Sequence, residues 1–410
     1  MSTVARPRLF EAYGVELEYM IVRQGTLDVA PLADRLIEAA CGETVPEFER
    51  GAFAWSNELV LHVLEFKTNG PAARLEGLAE VFQESVREAN RLLAQMGCRL
   101  MPGAMHPWMD PVEETRLWPH EYNAVYETYD RIFGCQGHGW SNVQSTHLNL
   151  PFCGDEEFGR LHAAVRLVLP LLPALAASSP VADGRPAGMR DMRLHYYRHN
   201  QKRIPCITGD VVPEPVYTRE DYRRVIDEPI AAAVAPHDPE GVVTGEEFVN
   251  SRGAIARFGR GSIEIRLLDI QECPAADLAM VRAVSEAARA LVEERWSGRE
   301  EQFRFPTAPL RELLLEAIEL GEQARVRDGE YLRLLGSGLG PGCTCGQLWQ
   351  DLFARMGQDD VFSRTHGARG TLASRLMRRL GAAPDRRRLR QVYGELCDCL
   401  QEGHLFDGVS

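Results

Sequence analysis

Apolar and polar positions alternate most clearly in four stretches of the chain, and each reads as a β-strand. Residues 8–20 surround the core GVELEYMIV, with Val15, Leu17 and Tyr19 on one side and Glu16 and Glu18 on the other. Glu58 to Thr68 is rich in Val, Leu and Phe, which suits a buried strand. Residues 143–152 alternate so that His147 and Asn149 share a face, and residues 262–270 put Glu264, Arg266 and Leu268 opposite Ile263, Ile265 and Leu267. A fifth stretch, 99–107, reads as a strand running into a loop rich in Pro, Trp and His.

Helical periodicity falls at 30–40, 73–96, 122–133, 157–177 and 275–295. Residues 178–215 are loop-rich and carry Arg185, Arg190, Arg193 and Arg198. From residue 306 the pattern is helical, interrupted by a glycine-rich stretch at 336–346. Adjacent strands are joined by very unequal lengths, which predicts an α+β fold with a mostly antiparallel sheet rather than regular βαβ units. The change to a helical pattern at 306 divides the chain into a domain of mixed strands and helices, 1–305, and a helical C-terminal segment, 306–410.

One register is ambiguous. Glu58 and Glu65 are separated by an odd number of residues, so an unbroken strand would send them to opposite faces. Either Glu58 lies in the turn before the strand, or a bulge intervenes, or the segment is a helix with Glu58, His62 and Glu65 along one stripe. The β-branched content and the turn signal after Thr68 favour the strand.

Composition narrows the function. The 410 residues are 45% hydrophobic and 26% charged, an ordinary globular balance. A net charge of −13 disfavours a nucleic-acid partner. The longest apolar run, Val165 to Ala177, is broken by Pro170 and Pro173, and the N-terminus has no signal-like core, so a cytoplasmic protein without a membrane partner is expected. Lys67 and Lys202 are the only lysines, and no glycine-rich loop ends in Gly-Lys-Ser/Thr. Nucleotide phosphates would therefore fall to arginines and metal ions. The ten cysteines are scattered, and the pairs Cys343/Cys345 and Cys397/Cys399 lack the usual zinc spacing, so free thiols are expected.

Two carboxylates side by side on a strand repel unless a cation relieves them. Taken singly, Glu16 and Glu18 read as exposed edge residues, His147 as a satisfied core histidine, and Glu264 with Arg266 as a structural ion pair. Taken together, four strands offer oxygen or imidazole donors among apolar neighbours. Such donors suit Mg²⁺ or Mn²⁺. With arginines close by, they describe a phosphoryl-transfer environment.

Six segments, in order, resemble the bacterial glutamate–cysteine ligase family, and more narrowly its carboxylate–amine ligase branch: GVELEY, the strand ending LEFKT, GAMHPWMDP, STHLNLPF, SSPVADGRPAG and RGSIEIRLLD. The resemblance spans Phe10 to Cys273. It implies a glutamine-synthetase-like sheet curved into a cup with helices outside. It implies that Glu16, Glu18, Glu58, Glu65, His147 and Glu264 hold Mg²⁺ or Mn²⁺, and that Arg266 and Glu264 act in catalysis. Arg257, Arg266 and Asn149 would contact ATP, while Arg190 or Arg193, with Tyr196, would hold a substrate carboxylate. The stretch from Arg190 to Arg203 departs from the family pattern. The implied activity is ATP-dependent joining of an amino acid or other small carboxylate to an amine through an acyl phosphate, in a chain that could form a homo-oligomer. A kinase of a guanidino or carboxylate group on the same fold would release ADP without free phosphate. A metal-dependent amide hydrolase would need no nucleotide, and a degenerate member would bind ligand without catalysis.

Overall fold

The computed structural model describes residues 6–243 and 249–409, so residues 1–5 of the N-terminus, read above for a signal-like core, lie outside it. Ten strands matter here: β1 (Gly14–Arg23), β2 (Glu47–Arg50), β3 (Phe53–Asn57), β4 (Val63–Thr68), β5 (Cys98–Met101), β6 (Ser145–Pro151), β7 (Val181–Ala182), β8 (Arg185–Pro186), β9 (Ala254–Arg257) and β10 (Ser262–Asp269). All but β7 and β8, which form a small hairpin of their own, belong to one antiparallel sheet ordered β2-β3-β4-β1-β6-β10-β9, with β5 paired to the far end of β1. The predicted α+β class with a mostly antiparallel sheet is thus observed.

Period-two alternation gives the sheet two unlike faces. On one, Val15, Leu17, Tyr19, Phe66, Leu148 and Ile263 are buried in a large apolar core. The helices Leu78–Ala94 and Pro274–Val292 close over that face. Trp55 Nε1 donates to Ser85 Oγ at 2.5 Å on the first helix, and Thr146 Oγ1 donates to Asp277 Oδ1 at 2.6 Å on the second. The other face carries the acidic residues.

The structure departs from the sequence expectations at three places. The segment 58–68 is not one strand: β3 ends at Asn57, Glu58 lies in the connection, and β4 begins at Val63. The turn alternative for Glu58 is therefore the observed one. The register of β10 slips between Ile265 and Leu268, so Leu268 pairs with Thr146 on the core face instead of sharing a face with Glu264. A bulge of this kind bends the strand and re-aims the side chains beside it. The strands β2 and β9, at the two edges, and β3, next to β2, lie where no strand was expected. Their residues EFER, FAWSN and AIAR are too short for a periodic signal.

The apolar run Gly154–Ala176 has the length and composition to cross a membrane, but it is almost wholly buried within this fold. The C-terminal segment shares the core of the rest. Leu376, Leu389 and Leu396 pack with Met20, Val22 and Met101, Trp349 Nε1 donates to Leu171 O at 2.9 Å, and fully buried Arg375 pairs with fully buried Glu272.

Asp277 gives the stability of this fold a pH dependence. Burial raises its carboxyl to about 7, against the opposing hydrogen bonds of Thr146 and Gln271. Because the folded state holds the proton more tightly than the unfolded chain, this contribution to stability is complete below an unfolded value near 4 and is lost as pH rises through 7. Asp277→Asn should remove that slope, which is worth roughly 4 kcal/mol across the window. Denaturant midpoints at pH 5 and pH 8 would converge in the variant relative to wild type.

Candidate active site

The polar face of the sheet is built from rows of directly opposed residues. Glu18 of β1 faces Glu65 of β4, which faces Ser56 of β3, which faces Glu47 of β2. In the next row Glu16 lies between Lys67 of β4 and His147 of β6. Asn149 of β6 faces both Gly14 and Glu264 of β10. Register alone therefore gathers five of the predicted metal-site residues on a few adjacent strands. Glu58 joins them from the β3–β4 connection.

Within this face two overlapping groups have ligand atoms within 4.8 Å of one another: Glu16, Glu65 and His147, and Glu18, Glu58 and Glu65. Glu65 belongs to both. His147 Nδ1 is 2.9 Å from Glu16 Oε2, and its Nε2 is 2.9 Å from Ser145 Oγ. Glu18 accepts from both Ser145 N and Ser145 Oγ, at 2.7 and 2.9 Å. Ser56 Oγ donates to Glu65 Oε1 at 2.6 Å, and Asn149 Nδ2 donates to Glu16 Oε1 at 3.0 Å. These hydroxyl and amide contacts hold the carboxylates in place as supporting hydrogen bonds do around metal ligands.

Glu264 is placed differently. Its oxygens accept from Arg257 Nε at 2.7 Å and face Arg266 Nε at 3.0 Å. It comes only to 4.0 Å from His147 and enters neither group. Arg266, about a quarter exposed, lies near Tyr197 and under the charges of Glu264, Glu18 and Glu16. Tyr126 and Tyr129, on the helix Asn123–Phe133, approach from above: Tyr126 feels Glu58 and Glu65, and Tyr129 feels Arg266 and Arg257.

The electrostatics describe a site with more negative charge than its own cations balance. Burial, then the charge of Glu18, lifts Glu58 to about 8. Burial, then Glu16 and Glu58, lifts Glu65 well above the carboxylate range. For Glu16 burial acts upward, but the hydrogen bond and charge of His147 outweigh it and hold the group low. Burial is likewise outweighed at Glu264, which Arg266 and Arg257 bring down to about 2. Like charges crowded in this way hold protons unless a multivalent cation takes their place. Carboxylates with one imidazole are also a donor set for a hard divalent ion, so the residues present fit Mg²⁺ or Mn²⁺.

The residues expected to hold a substrate carboxylate are not gathered on this floor. Arg193 is buried: its Nε donates to Asp269 Oδ1 at 2.5 Å, and its terminal nitrogens reach Arg266 O at 3.4 and 3.5 Å. It ties the short helix Met192–Tyr197 to the end of β10. Arg190 packs beside Gly321, and its backbone N–H donates to Glu319 O at 3.1 Å, so it faces the C-terminal segment. Tyr196 stacks on His138 with 5.0 Å between ring centroids. Its neighbour Tyr197 instead lies near Arg266, Arg193 and Glu264. Successive helical residues point about 100° apart, so a one-residue choice within HYYR decides which tyrosine meets the site. Lys67, Ser56 and Ser145 also escaped the sequence reading. Their signal was alternation with Glu65 for Lys67 and with His147 for Ser145, and both residues lie on strands already found. Among the described residues, neither C-x-C pair joins a metal-capable group.

The family described as glutamate-cysteine ligase family 2 matches residues 12–319. An uncharacterized protein of Archaeoglobus fulgidus is 36% identical over 68% of this chain and 75% of its own length. A Pseudomonas aeruginosa protein provisionally named glutamate–cysteine ligase 2 is 25% identical over 94% of this chain and 88% of its own. Against a Rubrobacter xylanophilus relative provisionally named glutamate–cysteine ligase 2-3, 28% identical, the match spans 45% of this chain and 47% of that protein. Among solved structures, a Francisella tularensis glutamate–cysteine ligase in complex with AMP aligns with a TM-score of 0.59 at 11% identity, over 99% of this chain and 91% of that one. A bifunctional glutathione synthetase from Pasteurella multocida aligns with a TM-score of 0.55 at 16% identity, over 95% of this chain and 53% of that one. At these identities the two structures support the fold.

Proposed function

The chain belongs to glutamate-cysteine ligase family 2 and is a carbon–nitrogen ligase of glutamate–cysteine-ligase-like type, and from that premise we propose that it consumes ATP in the cytoplasm to activate a small carboxylate as an acyl phosphate before an amine captures it. The observation that carries this reading is the pair of acidic groups sharing Glu65, with Arg266 poised beside them. Glu16, Glu65 and His147 would hold one divalent cation and Glu18, Glu58 and Glu65 a second. Such ions neutralise phosphate oxygens and polarise the transferred phosphoryl group.

The protein's own groups then do three things. Arg266 meets the charge that builds up on the γ-phosphoryl oxygens as a carboxylate oxygen attacks phosphorus and ADP departs. Glu264 aligns Arg266 and Arg257 as a pair aimed at phosphate, and Asn149 fixes the orientation of Glu16. In the second step the amine attacks the acyl carbon, the carbon–oxygen bond breaks, and phosphate leaves with one of the original carboxylate oxygens. No side-chain nucleophile is required, because positioning and charge stabilisation supply the rate.

The test is a phosphate-release screen with ATP and Mg²⁺ across acid and amine pairs, beginning with glutamate and cysteine. ADP, phosphate and amide should appear in equal amounts. ADP without phosphate would mark a kinase, and amide cleavage without ATP would mark a hydrolase.

A further inference from the structure

On the β2–β4 side of the polar face, Lys67 is the one cation among the described residues pointing toward the acidic groups, and it is one of only two lysines in the chain. Its Nζ lies 3.4 Å from Glu65 Oε1, the carboxylate common to both metal-capable groups, and 2.7 Å from Glu47 Oε2 on the edge strand. Its side chain is about three-quarters buried, while Glu47 is 45% exposed. Burying an ammonium costs free energy, and a pair with a half-exposed carboxylate returns little, commonly under about 1 kcal/mol. Buried Glu65 keeps the ammonium at the edge of the acidic groups, whereas Glu47 adds little, and that outer contact is cheaply exchanged for another anion.

The arginines sit at the opposite side. Arg257 and Arg266, on β9 and β10, are joined to Glu264, and β1 and β6 intervene between them and Lys67. Three strand spacings separate β4 from β10, about 14 Å along the sheet, and a fourth leads on to β9. The floor thus has a cationic pole at each end with the carboxylates between. If the arginine pole serves the transferred phosphate, the lysine pole is left to meet a second negative group in the same ligand assembly. Resting on the ligase reading, we infer that Lys67 recognises the non-reacting anionic group of the acid substrate, and so sets the enzyme's preference for acids that carry one.

Hydroxylamine traps acyl phosphates as hydroxamates and removes the need to know the amine. With ATP, Mg²⁺ and hydroxylamine, the rates for the acid found in the release screen are compared with those for its analogue lacking the second anionic group; for glutamate this is 4-aminobutyrate. Lys67→Met should raise KM for the intact acid by about 10- to 100-fold, the worth of a charged hydrogen bond, with KM for ATP and the rates on the analogue unchanged. Lys67→Arg should restore part of the discrimination, and Glu47→Gln should leave it intact. A parallel thermal-shift series should lose the stabilisation given by the intact acid in Lys67→Met while keeping that given by MgATP. Full discrimination in Lys67→Met, or a loss in Glu47→Gln equal to that in Lys67→Met, overturns the assignment and leaves Lys67 as a structural partner of Glu47. An equal rise in KM for ATP would make Lys67 a phosphate contact and also overturns it. Absence of ATP turnover in wild type with every acid overturns the ligase reading itself, and the role of Lys67 with it.

Discussion

Glu65→Gln is expected to lower metal-supported ATP turnover by about 10³-fold or more while the protein remains folded. Glu65 is the carboxylate shared by both metal-capable groups, so its loss weakens two positions at once, whereas loss of Glu16 or Glu58 weakens one. The fold should not suffer, because burial and the charges of Glu16 and Glu58 already disfavour the ionised form of Glu65. An amide in its place keeps the oxygen that accepts from Ser56 and removes a repelled charge. Thermal melts with and without Mg²⁺ separate the two effects. The metal-free midpoint should equal or exceed that of wild type, while the rise on adding Mg²⁺ should shrink. A variant with near-wild-type turnover would show that Glu65 holds no metal.

Arg266→Ala is expected to reduce kcat by roughly 10²- to 10³-fold, with a smaller change in KM for ATP. The guanidinium is already oriented by Glu264 and faces the acidic floor, so it needs little reorganisation to meet charge forming on phosphate. Arg266→Lys should recover only part of the loss, since an ammonium cannot reproduce the planar fork. Removing Arg266 leaves Glu264 paired with Arg257, so this buried carboxylate keeps a partner and the variant should fold. Pre-steady-state ADP formation would read the effect on the phosphoryl step directly. An unchanged burst would relocate the role of Arg266 to substrate binding.

The sheet was legible in the sequence where strands were long and alternating. β1, β6 and β10 each carry period-two patterns with apolar residues on the core face, and their register brings Glu16, Glu18, His147 and Glu264 to one face with no further information. Pairing was not legible for β2, β3 and β9. Strands of four or five residues carry too few positions for a period and depend on a neighbour to form. Glu58 shows the same limit. Its odd separation from Glu65 would put the two on opposite faces of an unbroken strand, and only the turn in three dimensions brings the two carboxylates together.

The substrate-binding expectations diverged from the placement for a different reason. Arg193 has the side chain of a carboxylate clamp, and it is one, but the carboxylate is Asp269 of the same chain. Nothing in residue type separates an arginine that binds a ligand from one that fastens a short helix to a strand. The difference lies in the buried surroundings of Asp269, whose other oxygen accepts from Ser178 N at 2.8 Å and Ser179 Oγ at 3.0 Å. Those serines lie in the SSPVADGRPAG segment. Its order in the chain marked the family, while its local role is to hold β10 and the helix Met192–Tyr197 in place.

On this acidic face a carboxylate is proposed to be activated by direct phosphorylation. That step is tested most directly by following oxygen. With the acid that supports phosphate release labelled with ¹⁸O in its carboxylate, the account predicts one ¹⁸O atom in each phosphate formed, detected by mass spectrometry, at a rate equal to amide formation. Phosphate carrying only unlabelled oxygen, with amide still produced, would contradict an acyl-phosphate route and with it the assignment of these residues.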